Sequence, residues 1–163
     1  MIAAASPRLL LALVLVASAA IVGGALLFQH IGGLAPCELC LYQRWPYYAA
    51  ILASTIALLS GADRALEAVI ALCALLFVAS TALAFYHVGV EQHWFAGPTA
   101  CTGGASGANS IEALKAQLLA RQPVSCDEPA WRLFGVSLAG WNLVASALIA
   151  VFCVAAVIGI RRR

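Results

Sequence analysis

Residues 9–28 read LLLALVLVASAAIVGGALLF, and none of them carries a charge. A helix of about 20 apolar residues crosses the hydrocarbon core of a bilayer, which is roughly 30 Å thick. Backbone groups in lipid must be hydrogen-bonded within their own segment, which favours a helix over an open strand. The sequence therefore predicts a membrane-spanning helix. A cleaved signal peptide is the competing interpretation, because residues 17–19 read ASA, but the apolar run extends to Phe28, beyond the usual length of a signal core.

Three further stretches have the same apolar character: residues 41–60, 66–86 and 137–160. The whole chain is 64% hydrophobic and 10% charged, whereas a soluble domain has about 45–50% apolar and about 25% charged residues. The net charge of +2 gives no indication of nucleic-acid binding. We therefore expect residues 1–163 to form a single all-α membrane domain, a four-transmembrane-helix bundle in a lipid bilayer.

The distribution of arginine predicts the orientation of this bundle. Cytoplasmic loops are enriched in lysine and arginine, and Arg8, Arg64 and residues 161–163 share one side of the membrane. Both termini are therefore expected in the cytoplasm. The connecting segments at residues 29–40 and 87–136 are then expected on the outer side.

The longer outer segment has a helical pattern of its own. Asn109 and Glu112 have the spacing of a capping box, and Ile111, Leu114 and Leu118 follow on one face. This pattern predicts a short amphipathic helix, which either lies on the membrane surface or caps the bundle.

The six cysteines of the chain fall into two groups. Cys73 and Cys153 lie within apolar stretches, where a cysteine is usually a small buried core residue. The other four lie in the outer segments, where disulfides are permitted; they are Cys37, Cys40, Cys101 and Cys126. The first two form a C-x-x-C motif, which is common in dithiol redox sites.

The length of the second helix predicts the surroundings of this motif. A helix from Pro46 to Ser60 would be only about 22 Å long, too short to cross the membrane. We therefore expect the helix to begin near Cys37 to Cys40 and to be kinked by Pro46, which places the thiols where the helix dipole favours a thiolate. The spacing i, i+3, i+7 puts both cysteines and Arg44 on one stripe. The arginine then either extends to the headgroups or stabilises a thiolate or a reduced ligand, and the shared stripe favours the second.

Two interpretations of Cys101 and Cys126 are open: a static disulfide, or a pair that exchanges with another protein. Glycines 103, 104 and 107 follow Cys101 and give it accessible backbone, which favours exchange. A zinc site is the inorganic alternative, with His87, Glu91 and His93 as further ligands. The second cysteine pair lacks the close spacing of zinc ligands, so no metal is expected.

Residues 36–44, PCELCLYQR, resemble the signature of the bacterial disulfide bond formation protein B (DsbB) family. The resemblance covers nearly the whole chain: four helices, a C-x-x-C-x-x-x-R motif after the first, and a cysteine pair in the last outer loop. It implies an inner-membrane oxidoreductase with both redox loops in the periplasm. Such a protein reoxidises DsbA, a soluble periplasmic oxidase of the thioredoxin fold, and passes the electrons to ubiquinone or menaquinone.

The resemblance also implies an order for the thiols. Cys101 would form a mixed disulfide with the partner, and residues 95–101 would enter the partner's groove. Cys126 would be displaced and would attack Cys37. Cys40 would remain as a thiolate facing the quinone ring.

For the quinone, the resemblance implies that Arg44 lies beside it and His87 near the same pocket. Residues 86–94 resemble relatives with a dedicated partner oxidase as well as general ones. The vitamin K epoxide reductase family is a neighbouring alternative, but its C-x-x-C falls in the last helix of its bundle. A non-enzymatic membrane protein with two structural disulfides is the alternative from a different class.

Overall fold

The computed structural model describes residues 6–98, residue 111 and residues 124–162. Its helices are α1 (Pro7–His30), α2 (Glu38–Tyr42), α3 (Trp45–Ser60), α4 (Asp63–Glu91) and α5 (Leu138–Arg161). Two short antiparallel strands, β1 (Arg132–Leu133) and β2 (Val136–Ser137), precede α5. Cys101 and, apart from residue 111, the expected amphipathic helix lie outside the described residues.

The fold is mostly helical, as expected. In the part of the chain that the structure describes, α1, α4 and α5 are long and apolar enough to cross a membrane. The remaining apolar stretch, residues 41–60, contains α3, which has 16 residues and is about 24 Å long. Large apolar side chains such as Leu59, Leu75 and Val151 lie exposed on the outside of the bundle.

The second apolar stretch differs from the single kinked helix that we expected. The chain forms two helices, and Gln43 and Arg44 make the turn between them. Pro46 causes the break, because a proline ring clashes with the carbonyl four residues earlier, here that of Tyr42, and has no N–H to donate to it. The helix resumes at once, and the backbone N–H of Tyr48 donates to the carbonyl of Arg44 at 3.1 Å. The turn directs the Gln43 side chain into the protein, where it is buried.

The third helix is longer than the expected residues 66–86, because α4 continues to Glu91. The segment that follows this helix therefore begins after residue 91 and not at residue 87. The extra turn is packed, since Val90 is buried and the ring of Phe95 folds back onto Gly89. His87 consequently belongs to the helix, and Glu91 follows it one turn later on the same face.

Small side chains fill the contacts between the helices. Ala50 and Ser54 of α3, together with Ala150 of α5, are buried, and small residues let helices approach closely in a membrane. Cys73 and Cys153 are fully buried in the same core, which confirms their interpretation as core residues.

Candidate dithiol site

The C-x-x-C motif forms the first turn of α2. Cys37 is the N-cap residue, with extended backbone, and its sulfur accepts a hydrogen bond from the backbone N–H of Cys40 at 3.3 Å. The i, i+3 spacing brings the two side chains onto one face of the turn. Their Sγ atoms are 2.9 Å apart, and the Cys37 thiol donates to the Cys40 sulfur. Both sulfurs are thiols in this structure.

The two thiols have opposite acidities. The hydrogen bond that the Cys37 thiol donates to Cys40, together with burial, raises the pKa of Cys37 to about 12, although His87 acts in the other direction. The same hydrogen bond lowers the pKa of Cys40, against the effect of burial. Cys40 is therefore the first sulfur of the pair to become a thiolate.

His87 reaches the motif from α4. Its Nε2 atom is 3.6 Å from the Sγ of Cys37 and 4.0 Å from Oε1 of Glu91. The side chains of His87 and Glu91, which are spaced i, i+4 on α4, are both buried. A donor atom from each of Cys37, Cys40 and His87 lies within 4.8 Å of the other two. A structural zinc site uses four cysteine or histidine ligands, and this cluster supplies three. The geometry could therefore also hold a soft metal.

Arg44 lies in the turn after α2, where it is half-buried. Its Nη1 donates to Oε1 of Gln29, in the last turn of α1, at 2.6 Å. Arg44, both thiols and His87 line one cavity, although the break between α2 and α3 means that the cysteines and Arg44 do not share a stripe on one continuous helix.

This cavity has a volume of about 370 Å³, within the roughly 300–1,000 Å³ of small-molecule sites. Its walls are mostly apolar and include Ile21, Val22, Phe28, Trp131 and Trp141. The rings of Phe28 and Trp131 lie 5.2 Å apart between centroids. The arrangement suits an apolar ligand with an aromatic head that meets a few polar groups.

Cys126 also belongs to the site. It is buried and packs with Cys37, Leu39 and Val90 in one apolar cluster. In its ionised form, Cys126 acts to raise the pKa of Cys40. The structure thus brings together three of the four cysteines that we singled out in the outer segments, and Cys101 lies outside the described residues.

A family model for disulfide bond formation protein DsbB matches residues 7–156. The chain belongs to the DsbB family. Disulfide bond formation protein B from Stutzerimonas stutzeri (strain A1501) is 31% identical over 91% of this chain and 93% of its own length. The protein of that name from Ralstonia nicotianae is 31% identical, over 98% and 99% of the two lengths. A comparison with solved structures gives no significant match.

Membership of the DsbB family makes this chain a bacterial membrane protein, an oxidoreductase of disulfide bond formation. The cysteines and the apolar helices are consistent with it. The family confirms the resemblance that residues 36–44 indicated.

The sequence reasoning missed three side chains of this DsbB-family site: Gln43, Tyr47 and Asn142. All three line the cavity, and they form a hydrogen-bonded chain that ends on His87. Asn142 carried a usable signal, because a polar side chain inside an apolar helix is costly in a membrane and usually has a function. Gln43 carried a weaker one, since it lies between the C-x-x-C motif and Arg44.

Proposed function

We propose that this protein reoxidises a periplasmic thioredoxin-fold oxidase of the DsbA type and passes the electrons to a membrane quinone. One observation carries the proposal: the Cys37–Cys40 thiol pair opens onto an apolar cavity of about 370 Å³ that Arg44 and His87 also line. A dithiol beside an apolar cavity can exchange electrons with a ligand dissolved in lipid. A structural disulfide has no need of such a cavity.

The redox chemistry supports a quinone as the acceptor. DsbA has a reduction potential of about −120 mV, so its reoxidation requires a still stronger oxidant than an ordinary protein dithiol. When bound, ubiquinone or menaquinone would accept the two electrons and two protons that the Cys37–Cys40 dithiol releases on closing to a disulfide. The residues present fit such a group, because apolar walls surround one sulfur with a lowered pKa and one permanently charged arginine.

The residues of the chain have distinct tasks in this proposal. Cys40 supplies the thiolate, and Arg44 supplies the fixed positive charge that favours a reduced, anionic ligand. Cys126, packed against Cys37, receives the electrons from Cys101 and passes them to Cys37 by disulfide exchange. Cys101 exchanges with the partner oxidase.

The proposed topology has four spans, with α3 as the second and α2 at its outer end. Both termini are in the cytoplasm and the protein lies in the inner membrane. Contacts at the far end of the bundle support this arrangement: Arg8 lies beside Gly61, and Arg161 pairs with Glu67 at 3.5 Å. Arginine collected at one end matches the cytoplasmic side.

A turnover experiment tests the function. Purified protein in proteoliposomes containing ubiquinone receives a reduced thioredoxin-fold oxidase, and quinone absorbance and partner thiols are followed together. We expect one quinone reduced for each partner dithiol oxidised, and no quinone reduction by Cys40→Ala. Cys153→Ala, which removes a core thiol that does not line the cavity, is the matched control and should retain activity.

Two results would contradict the proposal. One is partner oxidation without quinone consumption. The other is a wild-type protein whose outer cysteines stay oxidised whatever the quinone supply, which would indicate two structural disulfides. Metal bound in stoichiometric amount by the purified protein, and lost in Cys37→Ala, would instead indicate a metal site.

A further inference from the structure

A chain of hydrogen bonds links α5 to the dithiol through the interior of the bundle. Tyr47 Oη donates to Oδ1 of Asn142 at 2.7 Å. Asn142 Nδ2 donates to Oε1 of Gln43 at 2.5 Å. The amide Nε2 of Gln43 lies 2.6 Å from Nδ1 of His87, and the other nitrogen of His87 faces the Cys37 sulfur at 3.6 Å.

The direction of these bonds determines which nitrogen of His87 carries the proton. The oxygen of Gln43 is occupied by Asn142, so its NH₂ group donates and Nδ1 of His87 accepts. A neutral imidazole that accepts at one nitrogen donates at the other. The Nε2–H then faces the Cys37 sulfur at 3.6 Å, while Glu91 Oε1 lies 4.0 Å from the same nitrogen, beyond hydrogen-bonding distance.

The free-energy cost of burying these polar side chains indicates that their hydrogen bonds have a role beyond packing. Gln43 is 5% exposed and His87 is 2% exposed, and buried amides cost free energy unless both ends are bonded. The chain joins the α2–α3 turn to α3, α4 and α5, and each amide uses its oxygen and its nitrogen. Turning one amide would break bonds at both of its ends. Such a connected network specifies one geometry.

We propose that Gln43 and Asn142 are positioning residues that hold His87 Nε2–H toward the Cys37 sulfur. This inference rests on the proposed function and assigns the step that the hydrogen bond assists. In that step the Cys101 thiolate attacks Cys126 of a Cys126–Cys37 disulfide. The Cys101–Cys126 bond forms, the Cys126–Cys37 bond breaks, and the electron pair leaves on Cys37. A donor at that sulfur stabilises the leaving thiolate and accelerates exchange.

The leaving step can be measured without quinone. In a Cys40→Ala background, the Cys37–Cys126 disulfide is formed by oxidation and held at acid pH, where thiol–disulfide exchange is slow. Raising the pH to neutral ionises Cys101 and starts its attack on Cys126. Release of Cys37 is timed with a thiol-specific maleimide. We expect Gln43→Met, which keeps the length but removes the amide, to slow this release about tenfold, the size of one lost hydrogen bond to a charged group.

Asn142→Leu acts on His87 only through Gln43 and should also slow the release of Cys37. The double variant should be no slower than Gln43→Met, because both act through His87. Gln92→Met removes an exposed glutamine amide just after α4 and is the matched control, with an unchanged release rate.

Unchanged release in Gln43→Met, or additive effects in the double variant, would overturn the positioning role. The pH midpoint for alkylation of Cys37 separates this role from a general loss of structure. Loss of the His87 donor moves the midpoint upward, because that hydrogen bond lowers the pKa of Cys37, whereas a collapsed site exposes the thiol and moves the midpoint downward. The proposed function fails separately, if the wild type releases Cys37 normally but reduces no quinone.

Discussion

Arg44 Nη1 donates to Oε1 of Gln29 at 2.6 Å, and this bond ties the α2–α3 turn to the last turn of α1. The guanidinium is thereby held at the wall of the cavity, close to the polar groups of the motif. An arginine that only extended to the headgroups would have no need of a partner on α1. The contact therefore makes Arg44 and Gln29 a matched pair for mutation.

Arg44→Lys keeps the charge but loses the planar fork. We expect weaker quinone use, measured as an apparent KM raised about tenfold, which corresponds to about 1.4 kcal/mol. Gln29→Leu leaves the charge and removes only its anchor, so the rise should be smaller. Both variants should remain folded. If Arg44→Ala reduces quinone with an unchanged KM, the arginine has no role at the ligand.

Alkylation should distinguish the two thiols of the motif by pH. The pKa of Cys40 is lowered by the hydrogen bond from Cys37, so this thiol is a thiolate at lower pH. Cys37 has its pKa raised to about 12 and stays protonated through the neutral range. We expect iodoacetamide at neutral pH to modify Cys40 first, as mass spectrometry of the peptides would show.

Cys37→Ala removes the hydrogen bond that lowers the pKa of Cys40. The pH midpoint for alkylation of Cys40 should then move upward. Conversely, Cys40→Ala removes the main cause that raises the pKa of Cys37, whose midpoint should move downward. Equal alkylation of both thiols across the pH range would contradict the asymmetry.

The order of the outer cysteines predicts a trapped complex. Cys126→Ala leaves Cys101 able to join the partner oxidase, with no Cys126 to resolve the mixed disulfide. We expect this variant to accumulate a covalent complex on non-reducing gels and Cys101→Ala not to do so. Equal trapping by both variants would contradict the proposed order of exchange, in which Cys101 reacts with the partner and Cys126 resolves the mixed disulfide.

Gly89 determines how the chain leaves α4. A Cβ at this position would overlap the ring of Phe95, which also stacks on Tyr86 with centroids 5.9 Å apart. We expect Gly89→Ala to displace Phe95 and to destabilise the protein by about 1–3 kcal/mol, the usual cost of overpacking. Thermal unfolding and limited proteolysis of residues 93–98 would measure it.

Gly23 is the control for that substitution, because a Cβ there would meet nothing within 4 Å. Gly23→Ala should leave the stability unchanged or slightly raised, since alanine favours a helix. Phe95→Ala combined with Gly89→Ala should recover part of the loss. Equal destabilisation by both glycine variants would assign the effect to the helix itself and not to the ring.

The proposed topology predicts the behaviour of a reporter at the C-terminus. The arginines at residues 161–163 should hold this end in the cytoplasm. An enzyme active only in the periplasm, fused after Arg163, should therefore be silent, whereas the same fusion after Trp94 should be active. Strong activity of the C-terminal fusion would indicate that the C-terminus lies in the periplasm, opposite to the proposed topology.

The sequence by itself determined the features that depend on composition and local spacing. An uncharged stretch such as residues 9–28 forms a helix in lipid whatever its neighbours are, since its backbone N–H and C=O groups must be hydrogen-bonded within the segment. The Cys37–Cys40 contact is equally local, because it follows from the i, i+3 geometry of one turn. The motif around it was enough to indicate the DsbB family, and residues 7–156 match that family.

The tertiary structure decided the rest, because packing overrides local pattern. The extension of α4 to Glu91 depends on Phe95 folding onto Gly89. The bond from Asn142 to Gln43 spans 99 positions of sequence. No periodicity encodes such a bond, since it exists only when separate segments pack and bring the two polar side chains into contact.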